Sequence, residues 1–248
     1  MFRKNRVNFM GMLVLVALIL EACTRTQDPQ PTAQPDWFPT DSGLVREYYV
    51  FDTTFVTGTG DLAVDTLTEI YRLQEVYTGL VSDTTGTTYR LLERRRSAAG
   101  DTAAENGYLP GPQLWRERLD GPFADRIAET ERTLPLQFPA AVGDSWNALR
   151  YSQNETNNAD GYQPYRYSSI DTTLQTSGGT WSGCAWVTQR NPPASLVDTI
   201  YTVEAFAPGV GRVYFYDRFL KLNITGTETE LSTASYLRRL ELVAFQRP

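Results

Sequence analysis

From Leu44 to Phe245 the chain repeats one pattern: short runs rich in Thr, Val, Leu, Tyr and Phe, separated by clusters of Gly, Pro, Asn and Asp. Threonine alone occurs 30 times. β-Branched and aromatic side chains suit the pleated, half-buried face of a sheet. The runs predict strands over Leu44–Val56, Leu67–Thr78, Thr87–Arg96, Gln113–Leu119, Thr130–Phe138 and Trp146–Tyr151. Further strands are expected over Tyr162–Ile170, Thr180–Thr188, Asp198–Phe206, Arg212–Ile224 and Ser235–Phe245. Turn-forming groups stand between them at Asp83–Gly86, Gly107–Pro112, Asn157–Gly161 and Gln189–Pro193. Many strands at such intervals predict a mainly β domain: an antiparallel sheet forming a sandwich or a barrel-like, even half-barrel, structure. Helix is limited to one or two short pieces. Phe123 to Arg132 has the pattern for one, and Tyr236 to Phe245 fits either period.

The start of the chain is built differently. Arg3, Lys4 and Arg6 precede an apolar stretch from Met10 to Leu20, which is the basic-then-apolar layout of a secretory signal. A membrane-crossing helix needs about 20 apolar residues, so this stretch is too short to span. It ends in Leu20-Glu21-Ala22-Cys23, which resembles the lipobox of bacterial lipoproteins read by signal peptidase II. Leu20 matches the aliphatic position, Ala22 the small residue before the cut, and Cys23 the thiol that takes the lipid. Glu21 departs from the pattern, where a small or aliphatic residue is preferred. The resemblance implies a signal peptide over residues 1–22 and acyl chains on Cys23. Each buried CH₂ contributes about 0.8 kcal/mol, so two chains anchor stably. Residues 23–36 then carry the lipid and a tether with Pro29, Pro31 and Pro35. Extended at about 3.1 Å per residue, such a segment reaches about 40 Å. By the lipoprotein sorting rule, Thr24 in place of Asp implies the outer membrane, periplasmic or surface side left open. A single β-rich domain is expected over 37–248.

Composition excludes several function classes. Removing Arg3, Lys4, Arg6 and Glu21 takes the 23 basic and 29 acidic residues to 20 and 28, a net charge of −8. An acidic chain is a poor partner for nucleic acid or anionic headgroups. The chain has no histidine, which removes Ser-His-Asp and Cys-His catalysis and HExxH zinc sites. With Cys23 given to lipid, Cys184 has no partner for an intramolecular disulfide. Set between Trp181 and Trp186, it reads as a buried small hydrophobe. No cofactor or metal is expected.

Two later stretches carry a further resemblance. Leu136-Gln137-Phe138-Pro139 followed by Val142-Gly143-Asp144-Ser145-Trp146-Asn147 is the first. Glu204-Ala205-Phe206-Ala207-Pro208-Gly209-Val210-Gly211 running into Arg212-Val213-Tyr214 is the second. Both are similar to recurrent segments of uncharacterised envelope lipoproteins of Bacteroidota-type Gram-negative bacteria. Tyr71–Glu75 and Tyr89–Arg94 are similar to their earlier strands. The likeness implies anchor and fold and brings no activity. Pro208-Gly209-Val210-Gly211 itself reads as a turn handing one strand to the next, since proline presets φ and glycine tolerates φ > 0.

Carboxylates are the acid/base groups present in number. Glu69 with Glu75, and Glu228 with Glu230, fall on expected strands where even spacing shares a face. A glycosidase pair needs carboxyls about 5–9.5 Å apart beside aromatic platforms. Tyr71, Tyr77, Trp115 and Trp146 are the available rings. In Arg94-Arg95-Arg96 only Arg94 and Arg96 can share a site for a phosphate or carboxylate, because neighbours in a strand point to opposite faces. The plainer reading of both groups is a solvated strand. Asp83–Gly86 and Asp160-Gly161 lack the ligand spacing of a calcium loop. In Val213-Tyr214-Phe215-Tyr216 both faces are apolar, which calls for a second layer or for a sheet curled around a cavity with room for a lipid-like ligand.

These readings lead to an envelope lipoprotein with a non-enzymatic binding or structural domain, partnered by the membrane through its anchor and by an envelope protein, glycan or apolar ligand. A carboxylate-based, glycosidase-like hydrolase is the competing class. Two carboxyls converging in a cleft favour the enzyme; scattered exposed acids favour the binder.

Overall fold

The computed structural model describes residues 36–57, 64–151, 164–190, 198–225 and 228–248. Pro35–Pro248 is one compact unit, and every regular element among the described residues is a strand. The first half carries β1 (Val45–Thr57), β2 (Val64–Ser82), β3 (Thr88–Arg96), β4 (Gln113–Asp120), β5 (Phe123–Ala128), β6 (Glu131–Gln137) and β7 (Ser145–Trp146). The second half carries β8 (Tyr165–Thr176), β9 (Gly179–Arg190), β10 (Asp198–Ala207), β11 (Gly211–Thr225), β12 (Glu228–Leu231) and β13 (Tyr236–Gln246). Twelve of them follow one another in a single antiparallel sheet, β6-β5-β4-β3-β2-β1-β13-β11-β10-β9-β8-β7, with β12 beside β11. The two ends approach each other: the Leu134 amide donates to the Ala148 carbonyl at 2.8 Å, and the Trp146 indole to the Leu134 carbonyl at 2.7 Å. The Tyr167 hydroxyl donates to the Gln137 carbonyl at 2.7 Å. The sheet is therefore a nearly closed barrel.

The helix expected over Phe123–Arg132 is replaced by β5, a turn and β6. Glu129 takes φ of 54°, a conformation that ends a strand rather than continuing a helix. Period-2 partners outweigh the helix-forming Ala, Glu and Arg of this stretch. Arg126 enters the barrel, while Asp125 is clasped by Arg118 and Arg132 at 3.1 and 2.7 Å. The strand expected over Trp146–Tyr151 shrinks to Ser145–Trp146, because the Asn147 side chain accepts from the Leu149 amide and turns the chain. Glu228 and Glu230, expected on a strand, lie on β12, and Tyr236–Phe245, open to either period, is strand. Asn157–Gly161 and residues 191–193 lie outside the described residues.

Inside the barrel the apolar core lies in two main regions. One gathers Trp37, Phe38, Leu134, Leu136, Trp146, Tyr167, Val187 and Phe206. Trp37 and Phe38 come from the stretch just before β1 and close this region. The Trp37 indole donates to the Gly183 carbonyl at 2.9 Å, and its ring lies 6.4 Å from Phe138. The other places Tyr48, Val50, Tyr71, Leu73, Leu240 and Leu242 on neighbouring strands.

The β8–β9 hairpin adds a partial second layer. Asp171 and Gly183, at φ of 58° and 69°, kink its two arms. Pairing of β9 with β10 stops at Ala185, and the free tip reaches β13. There the Thr176 hydroxyl and the Gly178 amide donate to the Leu242 carbonyl at 2.8 and 3.2 Å. Leu174, Trp181 and Trp186 pack with buried Cys184, Ala205, Ala207 and Val213 in this region. Cys184 is fully buried, and burial pushes its thiol pKa up. Phe215 packs against this core, with the Arg212 guanidinium 5.8 Å from its ring. Tyr214 lies against Trp186 at 5.6 Å and Tyr216 against Tyr201 at 6.1 Å. The sheet curls, but Tyr214 and Tyr216 are occupied by aromatic packing between strands.

Candidate functional site

Four inward positions that an ordinary barrel would fill with aliphatic side chains hold arginine instead. Arg46 precedes Tyr48 and Val50 on the inner face of β1; Arg94 lies on the inner face of β3; Arg126 and Arg212 enter from β5 and β11. Three glutamates meet them: Glu75, Glu117 and Glu204, all 2% exposed or less. Glu75 is shared by Arg46 at 3.2 Å, by Arg94 at 2.9 Å and by Arg212. Arg126 joins Glu117 at 2.6 Å to Glu204 at 3.2 Å, and Arg212 also reaches Glu204 at 3.2 Å. Tyr48 stands 3.2 Å from Glu75, and the Tyr77 hydroxyl donates to Glu117. The result is one continuous ionic belt across β1, β2, β3, β4, β5, β10 and β11.

Electrostatics in the belt follow from shared burial. Burial alone would raise the Glu75 pKa, but Arg212, Arg46 and Arg94 outweigh it and hold this carboxyl well below the usual range. Burial pushes the Tyr48 hydroxyl up to about 12. Arg94 moves the other way, to about 10, through burial first, with Glu75 opposing and Arg212 and Arg126 adding to the drop.

Arg94 also faces a pocket of about 370 Å³ at the open end of the barrel. Its charged and polar wall is Arg94, Arg96, Arg238, Asp52 and Gln113; its apolar wall includes Val50, Leu73, Leu109 and Leu240. The register explains the assembly. Arg94 pairs with Glu75 and Arg96 with Leu73 across β2–β3, while Asp52 pairs with Arg238 across β1–β13. All lie on alternate positions of the inward face. The Arg94 guanidinium rests 3.7 Å over the Trp115 ring and Arg96 4.3 Å over Tyr71. Arg238 holds Asp52 at 2.6 and 3.0 Å. Arg96 meets Glu69 at 3.3 Å, both more than 40% exposed.

The alternation expected within Arg94-Arg95-Arg96 is what the structure has. Arg94 and Arg96 line one pocket, and Arg95 pairs with Glu93 at 2.7 Å elsewhere. They do not form a mere solvated strand end, since Arg94 is 11% exposed. Glu69 and Glu75 share a face but not a site: Glu75 is sealed in the belt, and Glu69 sits at the rim with Arg96. Glu228 and Glu230 fall on β12, with side chains outside the described residues. Of the four candidate sugar platforms only Tyr71 lines the pocket. Trp115 is covered by Arg94, Tyr77 is bound to Glu117, and Trp146 is buried in the core. Asp83 spends its carboxylate on its own turn, accepting from the Thr85 and Thr87 amides at 2.9 Å each. Cys23 and Asp160-Gly161 lie outside the described residues.

Sequence reasoning missed Asp52, Arg238 and the loop Leu109–Gly111, as well as Arg46, Arg126, Arg212, Glu117 and Glu204. One signal was present. Arg46 stands two residues before Tyr48 and four before Val50, and Glu75 between Leu73 and Tyr77, so both interrupt apolar faces in phase.

No protein-family model matches this chain, and no curated protein does. Among solved structures, the chain is similar to the crystal structure of a candidate lipoprotein from Parabacteroides distasonis, at 10% identity and a TM-score of 0.34, over 87% of this chain and 100% of that one. A TM-score that low bears on neither fold nor function.

Proposed function

We propose that this is a lipid-anchored protein of the bacterial cell envelope whose barrel domain binds a small molecule at its open end and catalyses no reaction on it. The anchor rests on Leu20–Cys23 behind a short apolar run. The outer membrane is the site that Thr24 favours. The observation that carries the binding reading is the make-up of the pocket wall: three guanidiniums against one carboxylate, Asp52, which Arg238 already holds. Paired-acid hydrolysis needs two carboxyls with different protonation states facing one cleft. Glu75, Glu117 and Glu204 are instead each paired with arginine inside the wall. A pocket of this size falls at the low end of small-molecule sites.

Two measurements test the two halves. Cys23→Ser should abolish incorporation of labelled acyl chains and move the protein out of the detergent phase; unchanged partitioning contradicts the anchor. Native mass spectrometry of the protein purified from its own envelope should show a non-covalent adduct. Leu109→Asp, at an exposed position on the pocket loop, should remove it without lowering the melting temperature. A ligand-free mass in the parent protein, or an adduct that Leu109→Asp leaves in place, contradicts binding at this pocket.

A further inference from the structure

We infer that the pocket between β1, β2, β3, β13 and Leu109–Gly111 takes an organic monocarboxylate, its head held by Arg94 and Arg96 and its apolar body laid against Leu73, Leu109 and Leu240. This deepens the binding reading and rests on it.

Charge count gives the sign and size of the ligand's charge. The belt holds four arginines and three glutamates. Arg46, Arg126 and Arg212 lie within it at 9% exposure or less, and Arg94 at 11% is the one that borders the pocket. Glu75 is its carboxylate partner among the described residues and is divided among three guanidiniums. Arg94 also donates to Gln113 Oε1, at a long 3.4 Å. An under-neutralised guanidinium therefore looks into the pocket. Arg96 stands on the next inward position of the same strand, only partly answered by exposed Glu69. Two guanidiniums side by side with about one charge to spare suit a single carboxylate. A phosphate monoester, close to doubly charged at neutral pH, would exceed that spare charge. Asp52 and, beyond the pocket wall, Asp217 keep Arg238 engaged and further limit the attraction. The facing wall is aliphatic, which a bare inorganic anion would leave unused and a hydrocarbon body would cover.

Isothermal titration calorimetry on residues 23–248 with Cys23→Ser, so that no attached lipid competes, decides the matter with three probes. Sodium octanoate, its neutral isostere octanamide, and inorganic phosphate differ only in the features at issue. Octanoate should bind at one per chain, with octanamide and phosphate at least about tenfold weaker, the scale of one charged hydrogen bond. Arg96→Gln, exposed and outside the belt, should weaken octanoate by roughly ten- to a hundredfold and leave octanamide and the melting temperature unchanged. Octanamide binding as tightly as octanoate, phosphate doing so, or octanoate indifferent to Arg96→Gln would each overturn the inference. A neutral molecule recovered as the native adduct would overturn it too, while the binding role itself stood.

Discussion

Glu75 shows how one residue can be confined to structure by its neighbours. Its carboxylate meets three guanidiniums at 1% exposure, and its pKa is depressed despite burial. A depressed folded-state value means that its contribution to stability is fully present above the unfolded value of about 4.3 and is lost as pH falls below it. Urea unfolding should therefore give a free energy that is level from pH 7 to about pH 5 and declines with further acid. Glu75→Gln should cost about 3–5 kcal/mol at pH 7, since it strands buried arginine charge, and should flatten the acid slope. A loss under 1 kcal/mol with the slope unchanged would remove Glu75 from the belt. At this scale the sequence was partly legible. Face alternation separated Arg94 and Arg96 from Arg95, because that rule is local. The joining of Asp52 to Arg238 was not legible, since the two are 186 residues apart and only the β1–β13 register brings them together.

At the scale of elements, most strands were readable because their apolar period of two is written in consecutive residues. The exceptions have physical causes. Phe123–Arg132 carries helix formers, yet Asp125, Arg118 and Arg132 find one another only in a sheet. Trp37 and Phe38 follow a polar, Pro-rich stretch of sequence and were not assigned to any core, although they close one region of it. The kink of the β8–β9 hairpin was hidden as well, because Asp171 and Gly183 resemble any polar and small pair until the tip meets β13. That contact is tight: a Cβ on Gly178 would stand 2.5 Å from the Val243 Cα. Gly178→Ala should thus lift the hairpin tip and cost about 1–3 kcal/mol, as overpacking does. A thiol reagent reports the lift directly, because Cys184 is buried within the hairpin, opposite Thr172. The variant should react faster than the parent, and equal rates together with equal melting temperatures would show that the tip is free to move aside.

The unit Pro35–Pro248 is a barrel divided by what fills it: apolar side chains around Trp37, Trp146 and Tyr167, an ionic belt across its strands, and an arginine-lined pocket at the open end. Far-UV circular dichroism should show sheet with little helix, and a helix content near the one-third of an average globular domain would contradict the fold. Tyr214 and Tyr216 stand opposite Glu241 and Arg239 of β13, on the other face from Phe215 and Leu240. The proposed binding site is the pocket at the open end. Hydrogen–deuterium exchange tests that most directly, comparing the protein as purified from its envelope with the same protein stripped of bound small molecules. Binding at the open end predicts that the ligand adds protection in Arg94–Arg96, Leu109–Gln113 and Arg238–Leu240, with β10 and the Tyr214–Tyr216 segment unaffected. Protection gained at Tyr214–Tyr216 instead, or no difference anywhere, would contradict it.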